Sequence, residues 1–333
     1  MRVTVLGAGS WGTTVATLLC RRDHEVLLWA RNPEVATEVD EQRSNEGYLP
    51  GARLPARLRA TADLERAARH ADLLVVGVPT SAFRQTLELV RPHLAPWIPV
   101  VSLSKGLERD SHLRMTEVIK EVLPGRPAAA LTGPNLAREI MAGQAAASVI
   151  ATEDQTVAAA LQREVARGVF RVYTHHDVVG CEIGGALKNV IAIATGMAQG
   201  LGVGDNTRAA VMSRGLAELT TLAVAMGGEA TTLAGLAGMG DLVATCMSPQ
   251  SRNRHVGEQL GLGRSVEEVL GEMRMVAEGV RTASTVVELA ERHGLHMPIA
   301  QTIHDVVTGR IRAADAYRGL VRAVPAGHES EPG

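Results

Sequence analysis

Lys188 stands in an otherwise apolar run, sharing one helical face with Gly184, Gly185, Ile191, Ala192 and Thr195. A long cation among glycine, alanine and threonine is poorly explained as a solvated helix face. The small neighbours would leave a concavity for a cofactor ring and a substrate. An ammonium held there can protonate a carbonyl oxygen as it receives hydride, or take the proton back. The plain alternative is a lysine snorkelling at a domain seam. Asp241, in Gly238-Met239-Gly240-Asp241, either caps a short helix or accepts from a substrate hydroxyl and orients Lys188.

Three further groups suit anions. In Ser248-Pro249-Gln250-Ser251-Arg252-Asn253-Arg254, Ser248 is expected as a helix cap and Pro249 as the first helical residue. Arg252 and Arg254 would then oppose the helix dipole, which makes sense if an anion docks beside Ser251 and Asn253. A bidentate Arg252 suits a phosphate; a surface arginine pair is the alternative. Lys105, just past an apolar strand, can meet a substrate anion or serve as a surface loop residue. Gly133-Pro134-Asn135-Leu136-Ala137 reads as a cap and a second helix start facing the same crevice.

The nucleotide signal is Gly7-x-Gly9-x-x-Gly12, placed directly after the apolar run 2–6 and before a helical run from Thr13 to Arg22. Gly7 would make the tight turn, Gly9 admit the pyrophosphate, and Gly12 let helix and strand pack closely. The pyrophosphate would rest on free helix N–H groups. About 20 residues past such glycines an NAD site carries a carboxylate for the ribose. Here Arg31 stands 19 residues after Gly12, with no carboxylate before Glu34. A guanidinium can clamp a 2′-phosphate, so NADP is favoured over NAD; a solvated arginine with relaxed cofactor choice is the alternative.

These residues need two frameworks. Strands are expected at 2–6, 25–29, 72–76, 98–103, 128–132, 147–150 and 169–173, alternating with helices. That pattern predicts an α/β domain over 1–174 with a doubly wound, mostly parallel sheet and a crevice at the strands' carboxyl ends. From 175 to 323 the runs 178–201, 208–227, 265–272, 279–293 and 298–308 predict an all-helical domain, and 324–333 reads as a disordered tail.

Composition narrows the classes. A chain of 333 residues can bury two cores, and 46% hydrophobic with 21% charged residues is ordinary for a globular protein. A net charge of −2 and only eight aromatic residues argue against nucleic acid as partner. Cys20, Cys181 and Cys246 show no paired spacing, which suits reduced thiols in a cytoplasm. The first strand is expected from Arg2, so no signal peptide is expected, and the apolar stretch Asn189 to Gly204, at 16 residues, is expected to be too short for a bilayer. The eleven histidines include no metal-ligand spacing; His175-His176 reads as interdomain linker, and no metal is expected.

Taken together, Gly7-Ala8-Gly9-Ser10-Trp11-Gly12, Ser104-Lys105-Gly106, Gly133-Pro134, Glu182-x-x-Gly185-Ala186-x-Lys188-Asn189, Gly238-x-Gly240-Asp241-Leu242 and Ser251-Arg252-Asn253 resemble bacterial NAD(P)-dependent sn-glycerol-3-phosphate dehydrogenase. The likeness runs from Val3 to about Arg322. It implies a Rossmann domain followed by a helical domain like that of 6-phosphogluconate dehydrogenase. It also implies NAD(P)H reduction of dihydroxyacetone phosphate to sn-glycerol 3-phosphate for glycerophospholipid synthesis. On this likeness Lys188 is the proton donor and acceptor, and Lys105, Gly133, Asp241, Ser251, Arg252 and Asn253 line the substrate. Ser10, Trp11, Arg31, Ala137, Val276 and Glu278 fall at cofactor positions, with Lys105 and Arg252 touching both ligands. At Asn135 the family usually has Ser or Thr, so an amide would replace a hydroxyl at the substrate. Asn32 stands where many relatives have a second basic residue. The expected partners are this phosphorylated substrate and a second copy in a homodimer. The rivals are a dehydrogenase of a 3-hydroxy acid and a dinucleotide sensor without catalysis.

Overall fold

A computed structural model describes residues 1–20, 23–273 and 276–320. The 324–333 tail and the end of the first helical run, Arg21-Arg22, lie outside the described residues. The chain forms two compact units: Met1–Ser104 with Leu113–Val178, and Lys105–His112 with the chain from Val179 onward.

The first unit is built on eight strands: β1 (Arg2–Leu6), β2 (Glu25–Trp29), β3 (Arg59–Thr61), β4 (Leu73–Val76), β5 (Val100–Ser102), β6 (Ala128–Thr132), β7 (Ala146–Ala151) and β8 (Phe170–His175). Their order is β3-β2-β1-β4-β5-β6-β7-β8, parallel throughout except for the antiparallel β6/β7 pair. Order therefore reverses at β1 and β4, which in an open α/β sheet is where a ligand crevice opens. Seven helices intervene: α1 (Ser10–Cys20), α2 (Pro33–Thr37), α3 (Leu64–His70), α4 (Thr80–Val90), α5 (Met115–Val122), α6 (Ala137–Met141) and α7 (Gln155–Val165).

The two-residue period of the strands sorts their side chains into separate cores. Val3, Val5, Leu28, Leu73, Val75, Val101 and Leu131 pack on one face. Leu6, Leu27, Leu74, Val76 and Val100 pack on the other. Burial on both faces is why these strands read as unbroken apolar runs. β1, β2 and β6 match their expected limits. β3 does not announce itself: it has three residues, sits at the sheet edge, and is tied down by Asp40, which accepts from Ala60 N–H (2.9 Å) and Arg59 (2.9 Å). His175 belongs to β8 rather than to a linker, and its Nδ1 accepts from Asp177 N–H (3.0 Å).

The second unit comprises α8 (Val178–Gly200), α9 (Asp205–Ala225), α10 (Ala230–Leu233), α11 (Asp241–Met247), α12 (Arg252–Gly261), α13 (Val266–Glu272), α14 (Glu278–Arg292), α15 (Pro298–Val307) and α16 (Ala313–Leu320). α8 is its central helix, with Ile183, Leu187, Val190, Ile191, Ile193 and Met197 all in one core. A helix with apolar residues on most of its faces is a buried helix, and the polar side chains of α8 at Glu182, Lys188 and Asn189 are buried with it. By length and composition α8 and the segment Ala230–Met247 could each cross a membrane, contrary to the expectation from Asn189–Gly204 alone. In α8, however, 94% of the most apolar window is buried within the protein. The Glu218 carboxylate of α9 caps α15, accepting from Ile299 N–H (2.8 Å) and Ala300 N–H (3.1 Å). Burial pushes Glu218 up to about 7 against those two bonds.

Two expected helix starts are displaced. Ser248 ends α11, its Oγ accepting from Gln250 N–H (3.1 Å), and Ser251 is the cap of α12, its Oγ accepting from Arg254 N–H (3.2 Å). Pro249 thus lies in the turn before the helix. Likewise α6 begins at Ala137 with Leu136 as its extended cap residue, not at Pro134. Gly133 serves that turn instead: its φ is +114°, and a Cβ there would meet Ser148 Cα at 3.3 Å.

Candidate functional site

In the first unit the glycine turn joins β1 to α1, and two of its three glycines are demanded by the protein itself. Gly7 has φ +109°, and a Cβ there would lie 2.7 Å from the Gly77 carbonyl oxygen in the loop after β4. A Cβ on Gly12 would lie 2.0 Å from the Gly7 carbonyl oxygen. Gly9 has nothing within 4 Å of its Cβ position, so no packing among the described residues requires glycine there. The space it leaves lies at a helix N-terminus, where a phosphate finds N–H groups and the favourable end of the dipole. These features fit a dinucleotide pyrophosphate. Asn45, which the sequence did not single out, braces the turn from within: Nδ2 donates to Ala8 O and Thr13 Oγ1, both at 2.9 Å.

The other proposed cofactor residues of this unit lie around the same strand ends. Ser10 and Trp11 open α1; Trp11 tilts against Phe170 (6.3 Å between ring centroids), and its buried Nε1 has no hydrogen-bond partner among the described residues. Arg31 is exposed just beyond β2. Asn32, in place of a second basic residue, caps α2 by accepting from Glu34 N–H (2.9 Å). Ala137 opens α6. Asn135 accepts from Ser148 Oγ, and its buried Nδ2 has no hydrogen-bond partner among the described residues.

The second unit gathers the charged groups. Lys188 is 5% exposed, and its Nζ donates to Thr245 Oγ1 (2.6 Å) and pairs with Asp241 Oδ1 (3.1 Å). Lys105 Nζ takes the other oxygen, Asp241 Oδ2, at 2.7 Å. Thr245 Oγ1 stands 3.3 Å from Asp241 Oδ1 and donates to it. One buried carboxylate therefore holds two ammonium groups. Asp241 is the first residue of α11, and its side chain is committed to the lysines rather than to capping. Burial lowers Lys105 to about 8, opposed by Asp241 and assisted by the neighbouring charge of Lys188. The concavity expected beside Lys188 is partly filled: a Cβ on Gly184 would lie 2.8 Å from the Ala237 carbonyl oxygen. Glycine there lets the segment before α11 close on α8, which is how Asp241 and Thr245 reach the lysine. Thr245 had one available signal, its i+4 spacing from Asp241 on a helix.

α12 sets its own first turn against α8 by backbone contact. A Cβ on Gly257 would lie 2.0 Å from Ile193 O, and one on Gly196 2.0 Å from Arg254 O. This brings Asn253 to Asn189, whose Oδ1 accepts from Asn253 Nδ2 at 2.9 Å. Arg252 Nη1 donates to Val276 O (2.7 Å). Arg254 Nη2 donates to Gln199 Oε1 (2.8 Å) and lies 3.8 Å from Glu258 Oε2, so this arginine is tied to neighbouring side chains. Val276 lies two residues before Glu278, which opens α14. Among the described residues no group of three or more His, Cys, Asp or Glu side chains could hold a metal ion.

Comparison with known proteins covers both units. The family model for the NAD-dependent glycerol-3-phosphate dehydrogenase N-terminus matches residues 2–158, and that for the C-terminus matches residues 177–318. The chain is 55% identical to a glycerol-3-phosphate dehydrogenase [NAD(P)+] of Sphingopyxis alaskensis, over 100% of this chain and 99% of that protein. It is 51% identical to one of Mycobacterium avium, over 98% and 96%. The crystal structure of glycerol-3-phosphate dehydrogenase from Coxiella burnetii superimposes with a TM-score of 0.93 at 34% identity, over 96% of this chain and 98% of that one.

Proposed function

The chain belongs to the NAD-dependent glycerol-3-phosphate dehydrogenase family, enzymes that reduce dihydroxyacetone phosphate to sn-glycerol 3-phosphate with NAD(P)H, and we propose the residues by which it performs that reaction. Lys188 protonates the C2 oxygen of dihydroxyacetone phosphate as the ketone is reduced, and recovers the proton in reverse. The observation that carries this role is its ammonium, buried within α8 and held by Asp241 and Thr245. A fixed donor acts without prior reorganisation, and general acid help of this kind contributes roughly 10²–10⁴ in rate.

Lys105 and Arg252 attract the substrate phosphate, with Ser251 and Asn253 shaping the helix start beside it. Gly133 and Asn135 complete the substrate contacts, Asn135 through its buried Nδ2, which no described residue engages. The turn Gly7–Gly12 would hold the pyrophosphate, with Ser10, Trp11, Ala137, Val276 and Glu278 as further cofactor contacts. The bound dinucleotide supplies the hydride. Arg31, with no carboxylate beside it at the end of β2, favours the 2′-phosphate of NADP over NAD. By family likeness we assign the working form to the cytoplasm as a homodimer feeding glycerophospholipid synthesis.

The direct test follows NADPH oxidation with dihydroxyacetone phosphate and with uncharged dihydroxyacetone, repeating the first with NADH. Rapid turnover confined to the phosphorylated ketone, and faster with NADPH, is expected. Equal activity on both ketones would overturn the phosphate assignments.

A further inference from the structure

A line of amides crosses the second unit. Gly279 N–H donates to Asn253 Oδ1 (2.9 Å), Asn253 Nδ2 donates to Asn189 Oδ1 (2.9 Å), and Asn189 Nδ2 donates to the Lys105 carbonyl oxygen (3.3 Å). Both asparagines are buried, Asn189 at 4% exposure and Asn253 at 8%. Its direction is fixed by its ends. A backbone N–H can only donate and a carbonyl can only accept, so each amide has one workable orientation. Gly279 is packed into it: a Cβ there would lie 2.6 Å from Asn189 O and 2.9 Å from Asn253 Oδ1.

Every member stands at or beside a residue assigned above to the reaction. Lys105 is itself the terminal acceptor, Asn189 follows Lys188, Asn253 follows Arg252, and Gly279 follows Glu278. Four segments distant in sequence are thereby held in register. We propose that Asn189 and Asn253 are positioning residues, whose hydrogen-bonded line sets the proton donor, the phosphate ligands and the cofactor-side helix start in mutual alignment. The proposal rests on the functional reading given above. Aligned amides polarise one another in a low-dielectric interior, so breaking one link weakens the rest.

The experiment compares Asn189→Ala, Asn253→Ala, their double variant and Asn253→Asp with wild type, by kcat, KM for dihydroxyacetone phosphate and Tm. Because misplacement by about 1 Å can cost 10²-fold, kcat should fall on the order of 10- to 100-fold in each variant at temperatures where it is folded. Since both residues act through one line, the double variant should lie within about 3-fold of the worse single variant rather than at their product. Asn253→Asp preserves shape but sets two acceptors face to face, and should be as damaging as alanine. It carries the test if an alanine variant does not fold. A lowered Tm with wild-type kcat, multiplicative losses, or an Asn253→Asp enzyme matching wild type would each overturn the proposal. A wild-type protein inactive on dihydroxyacetone phosphate would instead refute the functional reading itself.

Discussion

The two units prepare for their ligands by different means. In the first, the proposed recognition is a matter of backbone shape: Gly7 and Gly12 let β1, α1 and the loop after β4 approach closely, and Gly9 leaves a space. In the second, the proposed chemistry rests on buried charges, two lysines on one aspartate, and glycines such as Gly257 and Gly196 let helices pack backbone to backbone. A site made from backbone depends on local spacing, while one made from buried charge depends on partners far apart in the chain.

That contrast can be broken at its glycines. Gly257→Ala sets a Cβ 2.0 Å from Ile193 O, where only backbone could yield. It should cost at least the ~1–3 kcal/mol typical of overpacking, read as a lowered urea midpoint. Gly9→Ala meets nothing within 4 Å and should leave stability within about 0.5 kcal/mol while weakening NADPH binding. If Gly9→Ala bound NADPH as wild type does, the space beside it would not be the pyrophosphate site.

The charges offer a second break. Asp241→Asn strands two ammonium groups around a position that is 2% exposed, and removing one member of a buried pair costs about 3–5 kcal/mol. Asp72→Asn in the first unit breaks a surface pair with Arg2, exposed on both sides, and should cost under about 1 kcal/mol. Matching urea midpoints for the two variants would mean that the Asp241 cluster is solvated.

A finer distinction comes from pH. Lys105 in the folded protein is lowered from 10.5 to about 8, so kcat/KM for dihydroxyacetone phosphate should fall as pH rises through about 8. Lys105→Arg should move that fall to higher pH, and an unshifted profile would assign it to another group. Between about pH 8 and 10.5 the unfolded chain retains a proton that the folded one has lost. Lys105 therefore makes stability rise with pH across that window, and Lys105→Gln should flatten the rise.

The same contrast explains what could be read from residue order. β1, β2 and β6 were legible to the residue because both their faces are apolar, and the glycine turn because its spacing is local. β3 was not, since an edge strand of three residues with an exposed arginine carries no apolar pattern. The start of α12 was misplaced because serines at 248 and 251 are both competent caps, and tertiary packing on α8 decides between them. Lys188 was visible as a charge out of place. Its partner Thr245, 57 residues away, and the bond between Asn189 and Asn253, 64 residues apart, exist only once helices pack.

The role of the Lys188 ammonium is tested most directly by Lys188→Ala, measuring NADPH affinity by fluorescence titration and turnover of dihydroxyacetone phosphate on the same preparation. We expect unchanged NADPH binding with kcat lowered on the order of 10²–10⁴. Turnover close to wild type in a variant that binds NADPH normally would contradict the assignment of Lys188 as the proton donor.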